Sequence, residues 1–239
     1  MNNSEIENLA LIPARGGSKG IIRKNLQEIA GVSLVGHAIR FAQQSGLFDA
    51  IHLSTDDDEI AREGGRYGCS PTFMRSAQTS GDRASATDVV REVRRCFLEI
   101  GTTVRRYVLI EPTSPMREAR FVSQAIELTK QHFDAALTVS QVDIKFHPDK
   151  QFAVSEQGAA SLMTDNGRRV IARQELSPTF VRNGFCYVVT DRAIAEGHSI
   201  LGVRLGAVIC DVPYVNIDSP GELELCRQLM EHGSDQAPS

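Results

Sequence analysis

Leu9-Ala10-Leu11-Ile12-Pro13-Ala14-Arg15-Gly16-Gly17-Ser18-Lys19-Gly20 is a buried-type strand that runs straight into a pair of glycines, and Ile21-Ile22-Arg23-Lys24-Asn25 follows it. Gly16 and Gly17 permit positive φ and close approach of the backbone, so that N–H groups can converge on anionic oxygens. Arg15, Lys19, Arg23 and Lys24 then supply charge to neutralise them, and the loop is suited to a triphosphate. The spacing is neither that of a G-x-x-x-x-G-K-[ST] phosphate loop nor that of a G-x-G-x-x-G dinucleotide turn. A tight surface turn with solvated charges has a similar composition, but the preceding strand and the rest of the motif favour an anion cradle.

Working outward, strand-like and helix-like stretches alternate, which predicts an α/β fold with a mainly parallel sheet and helices on both faces. Ser33 is placed to cap a helix whose apolar positions Leu34, Val35, Ala38 and Ile39 recur at helical spacing. Residues 50–54 read as the next strand. Thr55-Asp56-Asp57-Asp58-Glu59 opens another helix, with Thr55 as its expected cap and the carboxylates complementing the helix dipole rather than binding metal. Further helices are expected over 86–100, 121–131 and 221–231, and further strands over 107–111, 135–140, 184–189 and 207–210. The alternation fails between about 141 and 182, a mixed polar stretch that reads as an insertion in the core fold, of the kind that serves as a lid or a subunit contact.

The chain has 239 residues with 41% hydrophobic content, enough for one sizeable folding unit. Its net charge of −4 argues against broad nucleic-acid or membrane binding, so the positive charge that matters is local. Five cysteines without C-x-x-C spacing fit reduced thiols in a cytoplasmic protein, most of them serving as small core residues. No apolar run is long enough for a membrane span, no leader is expected, and residues 233–239 read as a frayed tail.

The segments Ile12-Pro13-Ala14-Arg15-Gly16-Gly17-Ser18-Lys19-Gly20, Leu53-Ser54-Thr55-Asp56-Asp57, Glu111-Pro112-Thr113-Ser114-Pro115, Arg182-Asn183-Gly184 and Asn216-Ile217-Asp218 occur in an order that resembles the acylneuraminate cytidylyltransferases, or CMP-sialic acid synthetases. The resemblance runs from about Leu9 to Met230. It implies a Rossmann-like nucleotidyltransferase that joins CTP to a nonulosonic acid, releasing pyrophosphate with Mg²⁺. It also implies a homodimer whose inserted segment, here 141–182, reaches the neighbouring subunit.

By the same resemblance, Arg15, Gly16, Gly17, Ser18, Lys19, Lys24 and Asn25 hold the triphosphate and ribose, with Lys24, Arg15 and Asp218 catalytic and Lys24 the main stabiliser of the transition state. Arg75, Asp82, Ser85 and Thr87 belong to a stretch expected to close over base and ribose, although a surface ion pair is an equal reading of Arg75. Glu111 stands where the family usually has glutamine. A carboxylate there can accept from the cytosine N4 amino group, and it would match guanine's adjacent donors at least as well. Asp218 and Asn216, the latter in place of a family aspartate, are the implied Mg²⁺ ligands, with helix capping the alternative role for Asp218. Lys150, Arg173 and Arg182 match residues that meet the sugar carboxylate, Arg through bidentate pairing, and Tyr187 is a pocket or sheet-edge residue. His147 reads as a structural hydrogen-bonding residue, and Ile22 stands where the family tends to have proline.

Two other functions stay open on the sequence: a nucleotidyltransferase using GTP or another sugar substrate, motivated by Glu111, and an inactive nucleotide-binding protein, motivated by Asn216. An oxidoreductase is disfavoured because the dinucleotide fingerprint is missing.

Overall fold

The computed structural model describes residues 4–169 and 176–233. In chain order, β1 (Ser4–Pro13) leads through the glycine loop to the short strands β2 (Glu28–Ile29) and β3 (Val32–Ser33) and to α1 (Leu34–Gln44). Then come β4 (Ala50–Ser54), α2 (Asp58–Arg66), the single turn α3 (Ala77–Ser80), α4 (Ala86–Glu99), β5 (Thr102–Leu109) and α5 (Ala119–Gln131). After β6 (Ala135–Gln141) the hairpin β7 (Phe152–Val154) and β8 (Ala160–Leu162) intervenes before β9 (Phe180–Thr190), α6 (Asp191–Ala195), β10 (Leu205–Cys210) and α7 (Pro220–Gly233).

Six strands form the central sheet in the order β10-β6-β9-β5-β1-β4. β1 pairs in parallel with β4 and β5, and β10 with β6, whereas β9 runs antiparallel to both its neighbours. The predicted α/β fold with a mainly parallel sheet is therefore the observed one.

Period-two alternation along β1 divides the core. Ala10 and Ile12 face α1, α2 and α5, packing with Val35, Ile39, Ile60, Phe121 and Val122. Leu9 and Leu11 face the other way, toward Val89, Val90 and Val93 of α4 and Ile194 of α6. A sheet covered on both faces needs a first strand apolar at every position, and the Leu-Ala-Leu-Ile run provides it. A third cluster joins Ile21, Ile29 and Leu34 to Val215, Ile217 and Leu223, tying the glycine loop to the far end of the chain.

Helix starts follow local chemistry. Ser33 caps α1, accepting from the Gly36 N–H at 3.1 Å, and Ser85 with Asp88 forms a reciprocal capping box on α4. The expected Thr55 cap on α2 is corrected: Asp57 takes that position, its Oδ1 accepting from the Glu59 and Ile60 N–H groups at 2.8 and 3.0 Å, because Thr55 is drawn into the buried turn before it. The excursion after β6 ends earlier than 182, since β9 begins at Phe180 and pairs with Gln141 and Ser140 across a register shift between Leu137 and Val139. All five cysteines are free and four are buried. No helix among the described residues is long and apolar enough to cross a membrane. The expected frayed tail falls, but for Gly233, outside the described residues.

Candidate active site

β1 lies between β4 and β5, so the loops leaving the carboxyl ends of β1 and β5 part in opposite directions and open a crevice there. A cavity of about 590 Å³ occupies this crevice. Its lining includes Arg15, Gly17, Ser18, Lys19, Lys24 and Asn25 from the first loop, and Arg75, Asp82 and Ser85 from the segment before α4. Glu111 and Thr113 follow β5, and Asn216 and Asp218 precede α7. Most residues expected at the nucleotide and metal sites thus converge on one space.

The loop is held by acids that the sequence reading gave no such task. The Gly16 N–H donates to Asp56 Oδ1 at 2.9 Å, and a Cβ at Gly16 would stand 2.6 Å from Asp57 Oδ2. Gly16 is therefore the glycine that lets the loop pack on the start of α2. Asn25, buried, donates its side-chain N–H to the Arg15 carbonyl at 2.9 Å and fixes the loop from the other side. Arg23 takes a left-handed φ of 52° as the chain enters the 3-10 turn Lys24–Leu26, which points Lys24 inward while the Arg23 guanidinium pairs with Glu59.

Lys24 is the cation nearest the late acidic residue. Its Nζ donates to Asp218 Oδ1 at 2.8 Å and to the Ile217 carbonyl at 3.0 Å. The Ile217 N–H donates to the Thr113 carbonyl at 2.8 Å, so the segment carrying Asn216 and Asp218 is sewn to the loop after β5. Asp218 does not cap α7. Ser219 and Glu222 do, Ser219 Oγ accepting from the Glu222 N–H while Glu222 Oε2 accepts from the Asp218 and Ser219 N–H groups. The Asp218 carboxylate is left facing Lys24 and the cavity.

At the opposite end, Asp82 bridges Arg15 at 3.1 Å and Lys19 at 2.8 Å. These partners, Lys19 foremost, hold its carboxyl below the usual range. Arg75 is buried rather than a surface ion pair: its guanidinium donates to Ser54 Oγ and to the Ser54 carbonyl, at 3.0 and 2.9 Å.

The floor is built around Gly184, at φ 76°, where a Cβ would lie 2.4 Å from Ser114 Oγ and 3.3 Å from Glu111 Oε2. Ser114 donates toward the Asn183 carbonyl and Asn216 Oδ1, at 3.2 and 3.3 Å. Buried Arg117 donates to the Glu111 and Phe185 carbonyls, joining the end of β5 to β9. Burial pushes the Glu111 carboxyl up; Arg117 opposes this, Asp218 adds to it, and Lys24 and Arg182 oppose it.

Several expected site residues stand elsewhere. Thr87 is buried in α4 and its Oγ1 accepts from the Ile200 N–H at 3.2 Å, away from the cavity lining. Lys150 is exposed on the excursion, outside that lining. Tyr187 is buried in β9 and Arg182 is exposed on the same strand, and neither lines the cavity. Arg173 lies outside the described residues. His147 makes structural bonds only, Nε2 to the Ser177 carbonyl and Nδ1 accepting from the Asp149 N–H. Asp56, Ser114 and Asn183 sat within segments whose order marked the site, yet only their pairing across the fold shows what each holds.

The profile of the cytidylyltransferase family matches residues 9–187. The chain belongs to the cytidylyltransferase family. It is 35% identical over 191 residues to N-acylneuraminate cytidylyltransferase A of Danio rerio, covering 79% of this chain and 42% of that protein. A pseudaminic acid cytidylyltransferase of Campylobacter jejuni is 28% identical over 97% of this chain and all of its own length. The CMP-N,N'-diacetyllegionaminic acid synthase of Legionella pneumophila is 28% identical, with 93% and 96% covered. Among solved structures, a CMP:2-keto-3-deoxy-manno-octonic acid synthetase complexed with CTP shares the cytidylyltransferase fold at a TM-score of 0.71 and 20% identity, covering 95% of this chain and 99% of that one.

Proposed function

We propose that this chain transfers a cytidylyl group from CTP to the anomeric hydroxyl of a nonulosonic acid, giving the CMP-sugar and pyrophosphate. The observation that carries this reading is the convergence, at the switch point of the sheet, of Arg15, Lys19 and Lys24 with Asp218 and Asn216. The hydroxyl oxygen bonds to the α-phosphorus as the bond from that phosphorus to the bridging oxygen breaks. Pyrophosphate leaves with the electron pair and the hydroxyl proton passes to solvent. Arg15 and Lys19 neutralise the departing phosphates, and Lys24 meets the charge that grows at the reacting phosphoryl group.

Asp218 and Asn216 suit Mg²⁺: one carboxylate and one amide oxygen, both hard donors, face the same cavity, and Asp218 is not engaged in a helix cap. No group of three or more His, Cys, Asp or Glu side chains fit for a metal occurs among the described residues, so phosphate oxygens and waters would complete the shell. The ion, when bound, would polarise the phosphoryl oxygens.

The same reading takes the protein to be a cytoplasmic homodimer, joined through the excursion. Phe146, Phe152, Val154 and Met163 are exposed there, beside Phe180 and Val181. Lys150, unused at its own cavity, is available to a neighbour's sugar acid. Five free thiols support a reducing compartment. The test is incubation with Mg²⁺, each nucleoside triphosphate and a panel of sugar acids, recording pyrophosphate and product mass. Release of pyrophosphate only with CTP and a nonulosonic acid supports the reading; none with any sugar acid rejects it.

A further inference from the structure

The turn at residues 76–80 is too short to hold its own shape: α3 has 4 residues, and its N-cap Ser76 makes no side-chain capping bond. Arg75 precedes this turn and Asp82 follows it, and both line the cavity together with Arg15 and Lys19. The anchor of the turn is a carboxylate from another element. Glu92, half-buried on α4, accepts from the Ser76 N–H at 3.0 Å through Oε1 and from the Thr79 hydroxyl through Oε2. Among the described residues no other hydrogen bond ties residues 76–80 to a different element.

Glu92 does not line the cavity. It works from behind the wall, where its charge, after that of Asp56, opposes the effect of burial on the Arg75 guanidinium. Ahead of the turn the Arg75 N–H donates to the Thr55 carbonyl at 2.8 Å, and beyond the turn Asp82 bridges Arg15 and Lys19 at 3.1 and 2.8 Å. A triphosphate competes for those same two cations, so the Asp82 anchor is given up when nucleotide binds. The Glu92 contact lies outside the ligand's path and persists. It keeps the wall ordered in the state that binds, and order established in advance removes an entropic cost from association.

We propose that Glu92 is a positioning residue for the nucleotide: it clamps residues 76–80 to α4 and so preforms the wall that carries Arg75 and Asp82. The inference rests on the function proposed above, since it takes the ligand at that wall to be CTP. The groups assigned to the reacting phosphoryl, Lys24, Asp218 and Asn216, stand on other segments. Loss of the clamp therefore weakens CTP and leaves the chemical step alone.

Calorimetric CTP binding and steady-state kinetics of wild type, Glu92→Ala, Glu92→Gln, Thr79→Val and the double variant Glu92→Ala with Thr79→Val test it. In Glu92→Ala the Kd and KM for CTP should rise about tenfold, the scale of hydrogen bonds to a charged acceptor, with kcat and the KM for the sugar acid within about twofold of wild type. Glu92→Gln keeps an acceptor for Ser76 and a partner for Thr79, and should stay within about threefold. Thr79→Val should raise both CTP constants about threefold alone and add nothing in the Glu92→Ala background, because the two side chains act through one contact. An unchanged Kd for CTP in Glu92→Ala overturns the inference. So does a loss of kcat as large as the rise in KM, or additivity in the double variant, either of which makes Glu92 a general support of α4. Should Glu92→Ala fail to fold, the milder Thr79→Val decides, and wild-type CTP affinity in that variant overturns the clamp. Wild-type protein that binds no CTP would instead sink the functional reading itself.

Discussion

Lys24 Nζ lies 2.8 Å from Asp218 Oδ1, across 194 residues of sequence. The pair joins the first loop of the fold to the last segment before α7, and it sets a cation of the cavity against the carboxylate proposed for Mg²⁺.

Replacing Lys24 with alanine removes that cation while leaving Arg15 and Lys19 to bind the phosphates. Turnover should fall by about 10²-fold or more, the scale for loss of one charge-stabilising donor, with a smaller change in KM for CTP. Unaltered kcat in a pyrophosphate-release assay would reject the role.

Asp218→Asn keeps the size and the contact with Lys24 but loses the charge. Because Ser219 and Glu222 cap α7, thermal stability should hardly move, whereas the Mg²⁺ concentration giving half-maximal activity should rise. An identical Mg²⁺ titration in the variant would dismiss Asp218 as a ligand.

Asp82 now occupies Arg15 and Lys19, the cations a triphosphate needs. Asp82→Asn should therefore tighten CTP by about two- to fivefold at low salt, an effect that fades as salt screens it. Weaker CTP binding would show that Asp82 holds the nucleotide directly.

Gly16→Ala places a methyl 2.6 Å from Asp57 Oδ2. Either the loop or the α2 cap must give way, at a cost of about 1–3 kcal/mol in denaturant unfolding and with weakened CTP binding. Wild-type values for both would show that the loop tolerates a side chain.

His52 is buried in β4 between Phe73 and Phe97, neither ring nitrogen has a partner among the described residues, and burial pulls its pKa down to about 4. The folded state keeps it neutral where the unfolded chain, near 6.5, binds a proton. Folding free energy should thus decline as pH drops from about 6.5 toward 4, by up to about 3 kcal/mol from this group. His52→Phe should flatten that part of the stability profile, and an equally steep profile in the variant would assign the acid sensitivity to other groups.

The strand, the glycine pair and the β/α alternation were readable because they rest on local rules: period-two apolar patterning, backbone freedom at Gly16, and capping at Ser33 and Ser85. The site residues from Arg15 to Asn25 were readable for the same reason, being one contiguous segment. Thr55 was misread as a cap because burial of its turn passes that task to Asp57, a choice made by packing. For Asp218 the sequence favours the metal role but leaves helix capping open, and the closing of the helix by Ser219 and Glu222 removes the second.

By itself the sequence determined the β1 strand, the cationic glycine loop and the α/β class, since each is encoded within a dozen neighbouring residues. Tertiary structure alone decided that β9 enters antiparallel between β5 and β6, that Asp56 ties down Gly16, and that Lys24 pairs with Asp218. Such pairings join residues tens to nearly two hundred positions apart, and propensity and periodicity hold no information across that distance. Only the burial of both faces of one sheet brings them together.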